Sequence, residues 1–181
     1  MKAEKLPPGL HRKYLLHHLT DHPNFLGVFE FEKLCWRKFA RHYPQSMIIL
    51  DEEHFTCLVI LDRTKCFYFD SCGNENIGAN RDLFELAKSL RLRTIVYNAK
   101  RIQSSCSDKC GLYCVYFIQQ CVRDEKQYQL FLDKFKTNCC FNDTVVKSLL
   151  KRKRCLWINK LKKDHSVLFF IFRHNRQWLE I

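Results

Sequence analysis

The thirteen residues from Cys110 to Val122 constrain this chain most: they carry no charge and, apart from Gln119 and Gln120, are almost wholly apolar. A helix that is apolar on every side cannot lie on a surface, so it needs a sheet or other helices around it. The strands to cover it are legible upstream. Ser46 to Leu50, Phe55 to Leu61 and Cys66 to Asp70 are rich in β-branched and aromatic residues, and Asp62-Arg63-Thr64-Lys65 between the last two reads as a hairpin turn. Thr94 to Tyr97 returns to strand composition. Flanking helices are predicted over Leu10 to Leu19, after the breaker Pro7-Pro8-Gly9, and over Arg81 to Leu90, where Leu83, Leu86, Ala87 and Leu90 keep helical spacing. Two more follow, Tyr128 to Phe135 and Thr144 to Leu150, the second with Asn142 and Asp143 as its capping residues. The expected fold is α+β: a small mixed or antiparallel sheet packed against a central buried helix and flanking helices.

No repeat, low-complexity tract or Gly/Ser/Pro linker interrupts the chain, and 181 residues at 46% hydrophobic content suffice for one core. The expectation is a single domain over 1–181, ending in a basic helical segment, 142–181. Eleven cysteines are about 6% of the chain, below the roughly 8–10% of a disulfide framework, and the number is odd. Most are expected as free thiols in a reducing compartment. Residues 1–30 lack the pattern of a secretory signal, and the late apolar run from Val167 to Phe172 is far shorter than the roughly 18 residues a membrane span requires. A soluble, intracellular, monomeric protein with no membrane partner is the reading.

The net charge of +12 is unevenly spread. From Lys151 to Arg176, nine basic residues face one acid, a net of +8, and the stretch includes Lys151, Arg152, Lys153, Arg154, Lys160, Lys162 and Lys163. Basic residues interleaved with Trp157 and Phe172 suit a polyanion, because neutralising phosphates releases condensed counterions. These lysines and arginines are therefore candidates for DNA contact without sequence preference. A solvated charged face, or an import signal at Lys151 to Arg154, is the alternative.

Chemistry points first to Cys110. It stands between the polar loop Ser104 to Lys109 and the apolar helix, hence at a helix N-terminus, where free N–H groups and the dipole favour a thiolate. Gly111 leaves room beside it for a substrate backbone. Cys114 and Cys121 read as buried packing residues. A thiol nucleophile needs a base and the base an orienting acid. His54 opens one strand of the hairpin and Asp70 closes the other. Pairing through the turn at Asp62 to Lys65 sets opposed residue numbers to sum to about 127, which brings these two to one sheet end. Gln103, seven residues before Cys110, offers a neutral donor for an oxyanion. No metal site is expected: Cys106, Cys110 and Cys114 recur every four residues, yet no Cys-x-x-Cys pair exists.

The ordered set His54, Asp70, Gln103, Cys110 resembles the adenovirus-type cysteine proteases (adenain), relatives of the SUMO-specific Ulp1-like peptidases. Asn24-Phe25-Leu26-Gly27 resembles the family's early Phe-Leu-Gly segment, and His54-Phe55 its His-Trp pair. Phe67 to Gly73 resembles its apolar strand ending in an acid and a nearby glycine. Gln103 with Cys110-Gly111-Leu112-Tyr113-Cys114 fits its Gln-x6-Cys-Gly-Leu-[Phe/Tyr]-Cys signature. The resemblance runs from about Phe25 to Phe117. Phe55 stands where the family has Trp, and Asp70 where adenoviral enzymes have Glu and their cellular relatives Asp.

The resemblance implies a His-Asp-Cys endopeptidase: Cys110 attacks, His54 moves the proton, Asp70 orients the imidazole, and Gln103 with the Cys110 N–H holds the oxyanion. It further implies capsid or core precursor proteins cut after small residues such as Gly, in the host nucleus and the virion, with DNA as an activator and no required cofactor. A disulfide-tethered peptide cofactor is not expected, since no cysteine lies between Cys72 and Cys106 and the counterpart of the tethering cysteine falls near Leu92. Two other functions compete: a SUMO- or ubiquitin-like isopeptidase of the same fold, and a basic nucleic-acid-binding protein without catalysis.

Overall fold

The computed structural model describes residues 8–31, 43–73 and 81–150. The chain divides into two compact units, Met1–Val146 and Lys147–Ile181. Of the second, only helical residues 147–150 are described. The basic candidates Lys151, Arg152, Lys153, Arg154, Lys160, Lys162 and Lys163 lie outside the described residues.

The first unit is a mixed α and β structure around a five-stranded sheet: β1 (Phe25–Glu30), β2 (Gln45–Asp51), β3 (His54–Ile60), β4 (Lys65–Phe69) and β5 (Thr94–Tyr97), side by side in chain order. The central β2-β3-β4 meander is antiparallel, while β1 joins β2 and β5 joins β4 in parallel. The sheet is thus mixed, within the expectation of a mixed or antiparallel sheet, and adds β1 to the strands the composition marked; β1 is an edge strand that β-propensity alone did not reveal. Gly27, at φ +131°, sits within an irregularity of the β1–β2 register. Asp62 sets the β3–β4 turn by accepting hydrogen bonds from the Thr64 N–H at 2.7 Å, the Thr64 hydroxyl at 2.8 Å and the Lys65 N–H at 2.9 Å. Those donors hold its carboxyl below the usual carboxylate range.

The helices are α1 (Pro8–Leu19), α2 (Arg81–Ser89), α3 (Cys110–Gln119) and α4 (Glu125–Leu132), and helical residues resume at 139. Both sheet faces are covered. On one, Met47, Ile49, Leu58, Ile60, Cys66 and Tyr68 pack with Leu83 of α2. On the other, α3 and α4 lay rings onto β4: Phe69 stacks on Phe117 at 4.7 Å and Phe67 on Tyr128 at 5.0 Å, with Phe131 edge-on to Phe69 at 5.4 Å. Buried side chains line α3 from Cys110 to Ile118, as its composition demands. Among the described residues no helix is long and apolar enough to cross a membrane.

Two helix starts differ from the sequence expectation. α4 begins at Glu125 because Asp124 caps it, accepting from the Gln127 N–H at 2.8 Å. The last helix among the described residues starts at 139, so Asn142 and Asp143 lie inside it and are not its caps; Asn138 accepts from the Phe141 N–H instead. Asn142 and Asp143 brace the chain elsewhere. Asn142 donates to the carbonyls of Ile102 and Lys136, and Asp143 accepts from the Tyr113 hydroxyl at 2.9 Å.

Candidate active site

β3 begins with His54 and β4 hands over to Asp70, so the register between these strands decides whether the two can meet. Paired residues are Cys57 with Phe69, Leu58 with Tyr68, Val59 with Phe67 and Ile60 with Cys66, each pair summing to 126. The expected sum was 127, and one residue matters. Continued at 126, the pairing sets Asp70 opposite Thr56, and His54, two residues along, shares that face; at 127 the two would point to opposite faces. His54 Nε2 and Asp70 Oδ1 are 2.7 Å apart.

Asp70 is buried and held on all sides. Its Oδ1 also accepts from the Cys72 N–H at 2.8 Å, while Asn98 accepts from the Asp70 N–H at 3.0 Å and donates to the Asp70 carbonyl at 2.5 Å. The Asp70–Gly73 turn closes by the Gly73 N–H on the Asp70 carbonyl at 2.9 Å. Gly73 is obligatory there: φ is +73°, and a Cβ would lie 2.5 Å from the Ala99 carbonyl oxygen and 2.6 Å from the Arg101 nitrogen.

Cys110 opens α3, as its sequence position suggested, and its Sγ accepts the Phe55 N–H at 3.4 Å. Burial alone lowers the basicity of the His54 ring, but hydrogen bonds and charge interactions with Asp70, then with Cys110, outweigh it and push the pKa up to about 10. One imidazole therefore responds to both acid and thiol, and with Nε2 engaged by Asp70 the ring has Nδ1 left for a further partner.

Gln103 lies buried in the loop between β5 and α3. Its N–H donates to the Ser71 carbonyl at 2.9 Å, its Oε1 accepts the Ser71 hydroxyl at 2.5 Å, and its Nε2 donates to the Ser107 carbonyl at 2.8 Å. Two consequences follow. The side chain is locked to the residue after Asp70, and the amide orientation is fixed with Nε2 carrying a second N–H beyond the one given to Ser107.

Gly111 serves a different end from the one expected. A Cβ there would come within 2.9 Å of Leu15 Cδ2 and 3.3 Å of Phe55 Cδ2, so the space belongs to α1 and β3 packing and not to a substrate. Sequence reasoning also missed Asn98, Ser71 and Tyr128. Tyr128 donates to the Tyr68 carbonyl at 2.8 Å and lies 3.2 Å from Asn98 Oδ1. The signal for Asn98 was the parallel pairing of Tyr97 with Tyr68, which sets Asn98 beside the end of β4.

Cys106 is exposed whereas Cys110 and Cys114 are buried, and they form no ligand group; among the described residues the one group of potential metal ligands is His54, Asp70 and Cys72. Burial first, then the charge of Asp70, pushes the Cys72 thiol up.

No protein-family model matches the chain, and no curated protein matches it. Among solved structures it is similar to the central domain of an uncharacterised protein from Legionella pneumophila, at 12% identity and a TM-score of 0.43, over 75% of this chain and 88% of that one.

Proposed function

We propose that this chain is a cysteine endopeptidase with an adenain-like fold, similar to the adenovirus-type maturation proteases. The observation that carries the reading is the single imidazole of His54 joined to Asp70 at 2.7 Å, with the Cys110 thiol, at the start of a buried helix, among the groups that raise its basicity. Cys110 Sγ attacks the scissile carbonyl as thiolate, beside an imidazolium whose proton Asp70 and the sulfur help to hold. His54 then gives the Nδ1 proton to the leaving amine and takes one from water to release the acyl group. Asp70 fixes the ring and its charge; the tie from the Cys72 N–H keeps the carboxylate aimed. The second N–H of Gln103 Nε2 and the helix-terminal N–H of Cys110 supply the oxyanion donors.

Replacement of the family's Trp by Phe55 leaves one contact untouched, because what Phe55 offers the sulfur is its main-chain N–H. Substrates are capsid or core precursors cut after small residues, and the basic stretch from Lys151 adds DNA as partner and activator. Asp70, the acid of the cellular relatives, favours a SUMO- or ubiquitin-like substrate as the second reading.

The test is incubation of the full chain and of Cys110→Ala with viral capsid precursors and with SUMO and ubiquitin precursors, the cleavage sites read by mass spectrometry. Cleavage after Gly in capsid precursors by the unmodified chain alone supports the first reading. Cleavage of the ubiquitin-like precursors supports the second. No cleavage of either, with Cys110 no more reactive to a thiol electrophile than the exposed cysteines, leaves a DNA-binding protein and sinks the peptidase.

A further inference from the structure

The proposed chemistry uses the N–H of Cys72 and leaves its thiol idle. That thiol is nevertheless close to the working pair: a ring nitrogen of His54, a carboxylate oxygen of Asp70 and Cys72 Sγ all lie within 4.8 Å of one another. We propose that these three side chains form a binding site for zinc(II) or another thiophilic divalent cation.

The donor set decides the metal. One imidazole nitrogen, one carboxylate oxygen and one sulfur suit Zn²⁺ or Co²⁺, whereas Mg²⁺ and Ca²⁺ call for oxygen throughout. Three protein ligands leave a fourth, open position for water. The carboxylate and the thiolate balance the two positive charges. Metal–ligand bonds of about 2.0–2.3 Å place tetrahedral ligand atoms roughly 3.3–3.8 Å apart. His54 Nε2 and Asp70 Oδ1, 2.7 Å apart in their hydrogen bond, therefore have to part by about 0.6 Å as the cation enters between them, and a separation as wide as 4.8 Å has to close by about 1 Å. Cys72 stands on the same turn as Asp70, so rotation of its side chain supplies the closing movement. Outer support is present as well: the Cys72 N–H holds Asp70 Oδ1, and Cys110 bonds the His54 ring.

On binding, the cation takes the place of the proton between His54 Nε2 and Asp70, and the Cys72 thiol releases its own proton to solvent. His54 is then committed to the metal, and a metal-bound imidazole whose Nδ1 carries hydrogen has no lone pair to accept another proton. Silencing of peptidase activity by the cation rests on the peptidase reading; occupation of the site does not.

Cobalt(II) titration of the full chain separates the two, because thiolate-to-cobalt absorption reports on sulfur ligation without any substrate. The unmodified protein is expected to develop the thiolate band, and Cys110→Ser to keep it at full intensity, with affinity lowered by no more than the roughly 10–100-fold that an outer partner is worth. Cys72→Ser should lose the band. Asp70→Asn, which keeps the side-chain shape, should retain the band but bind more weakly by more than the roughly 10–100-fold that loss of an outer partner costs. Zinc(II) added last should bleach the band in both. Circular dichroism identifies any variant that fails to fold, and Asp70→Asn then stands as the second variant. Absence of a band in the unmodified protein overturns the site, as does a band that survives Cys72→Ser at full intensity or disappears in Cys110→Ser.

Discussion

One turn of α3 separates Cys110 from Cys114, and the backbone of a single residue, Phe55, treats the two thiols in opposite ways. The Phe55 N–H points to Cys110 Sγ at 3.4 Å, while the Phe55 carbonyl accepts the S–H of Cys114 at 3.4 Å. An N–H donor accommodates charge on sulfur; a carbonyl acceptor requires the proton to stay. Around Cys114 the surroundings agree, since burial first and then contact with Cys57 push its thiol well above the ordinary value. Around Cys110 stand His54 and, through it, Asp70. The polar edge of the sheet and the aromatic wall one turn further in thus use the same residue type for different ends, and main-chain polarity sorts them.

The largest expected effect breaks the comparison at its centre. Cys110→Ala should abolish peptide cleavage, and His54→Ala should match it, the double variant being no worse than either because the two act as a unit. Cys114→Ala should leave turnover within a few-fold and lower stability by about 1–2 kcal/mol for the small cavity it opens. The measurement is turnover alongside denaturant unfolding. Alkylation adds a check. Cys106, Cys121 and Cys140 are exposed whereas Cys110 is buried, so accessibility alone orders Cys110 behind them. Modification of Cys110 first, read by mass spectrometry, shows chemistry overriding exposure. Loss of turnover in a folded Cys114→Ala with Cys110→Ala still active would reverse the assignment.

Gln103→Ala comes next and sharpens the edge. Removal of one oxyanion donor costs about 10²–10³ in turnover. Because labelling by a small alkylating agent needs only the thiolate, Cys110 should remain reactive while turnover collapses. If both fall together in a folded protein, the ties of Gln103 to Ser71 and Ser107 matter more than its free N–H, and its place is in support of Asp70.

The placement of the candidate residues was more legible in the sequence than the sheet was. Cys110 was legible because a charge-free run following a Ser/Asp loop marks a buried helix start, and His54 and Asp70 because each ends a strand of one hairpin. The register was off by one residue, since the hydrogen bonds that Asp62 accepts fix the turn and are invisible in composition. β1 was hidden for another reason: it pairs in parallel across a long connection, and its burial is only partial except at Val28. Gly111 misled because a glycine beside a nucleophile reads as access, whereas Leu15, nearly a hundred positions away, fills the space. Asn142 and Asp143 look like caps by type, yet their partners, Ile102 and Tyr113, come from tertiary contact.

The smallest expected effect tests whether wall and edge are separable. Tyr128 belongs to the wall, its ring stacked on Phe67 at 5.0 Å, but its hydroxyl reaches the edge, donating to the Tyr68 carbonyl at 2.8 Å beside Asn98 Oδ1 at 3.2 Å. Tyr128→Phe keeps the ring and deletes that one donor. A typical buried hydrogen bond contributes about 1 kcal/mol, so unfolding stability should fall by that order. Turnover should fall by less than about tenfold, the equivalent of 1.4 kcal/mol, because Asn98 still accepts the Asp70 N–H and still donates to the Asp70 and Lys100 carbonyls. Asn98→Ala removes all of those bonds at once and should cost more in both measurements. A turnover loss in folded Tyr128→Phe as deep as that of Gln103→Ala would mean that Asp70 is aimed from the wall, and the division between a chemical edge and an inert aromatic wall would fail.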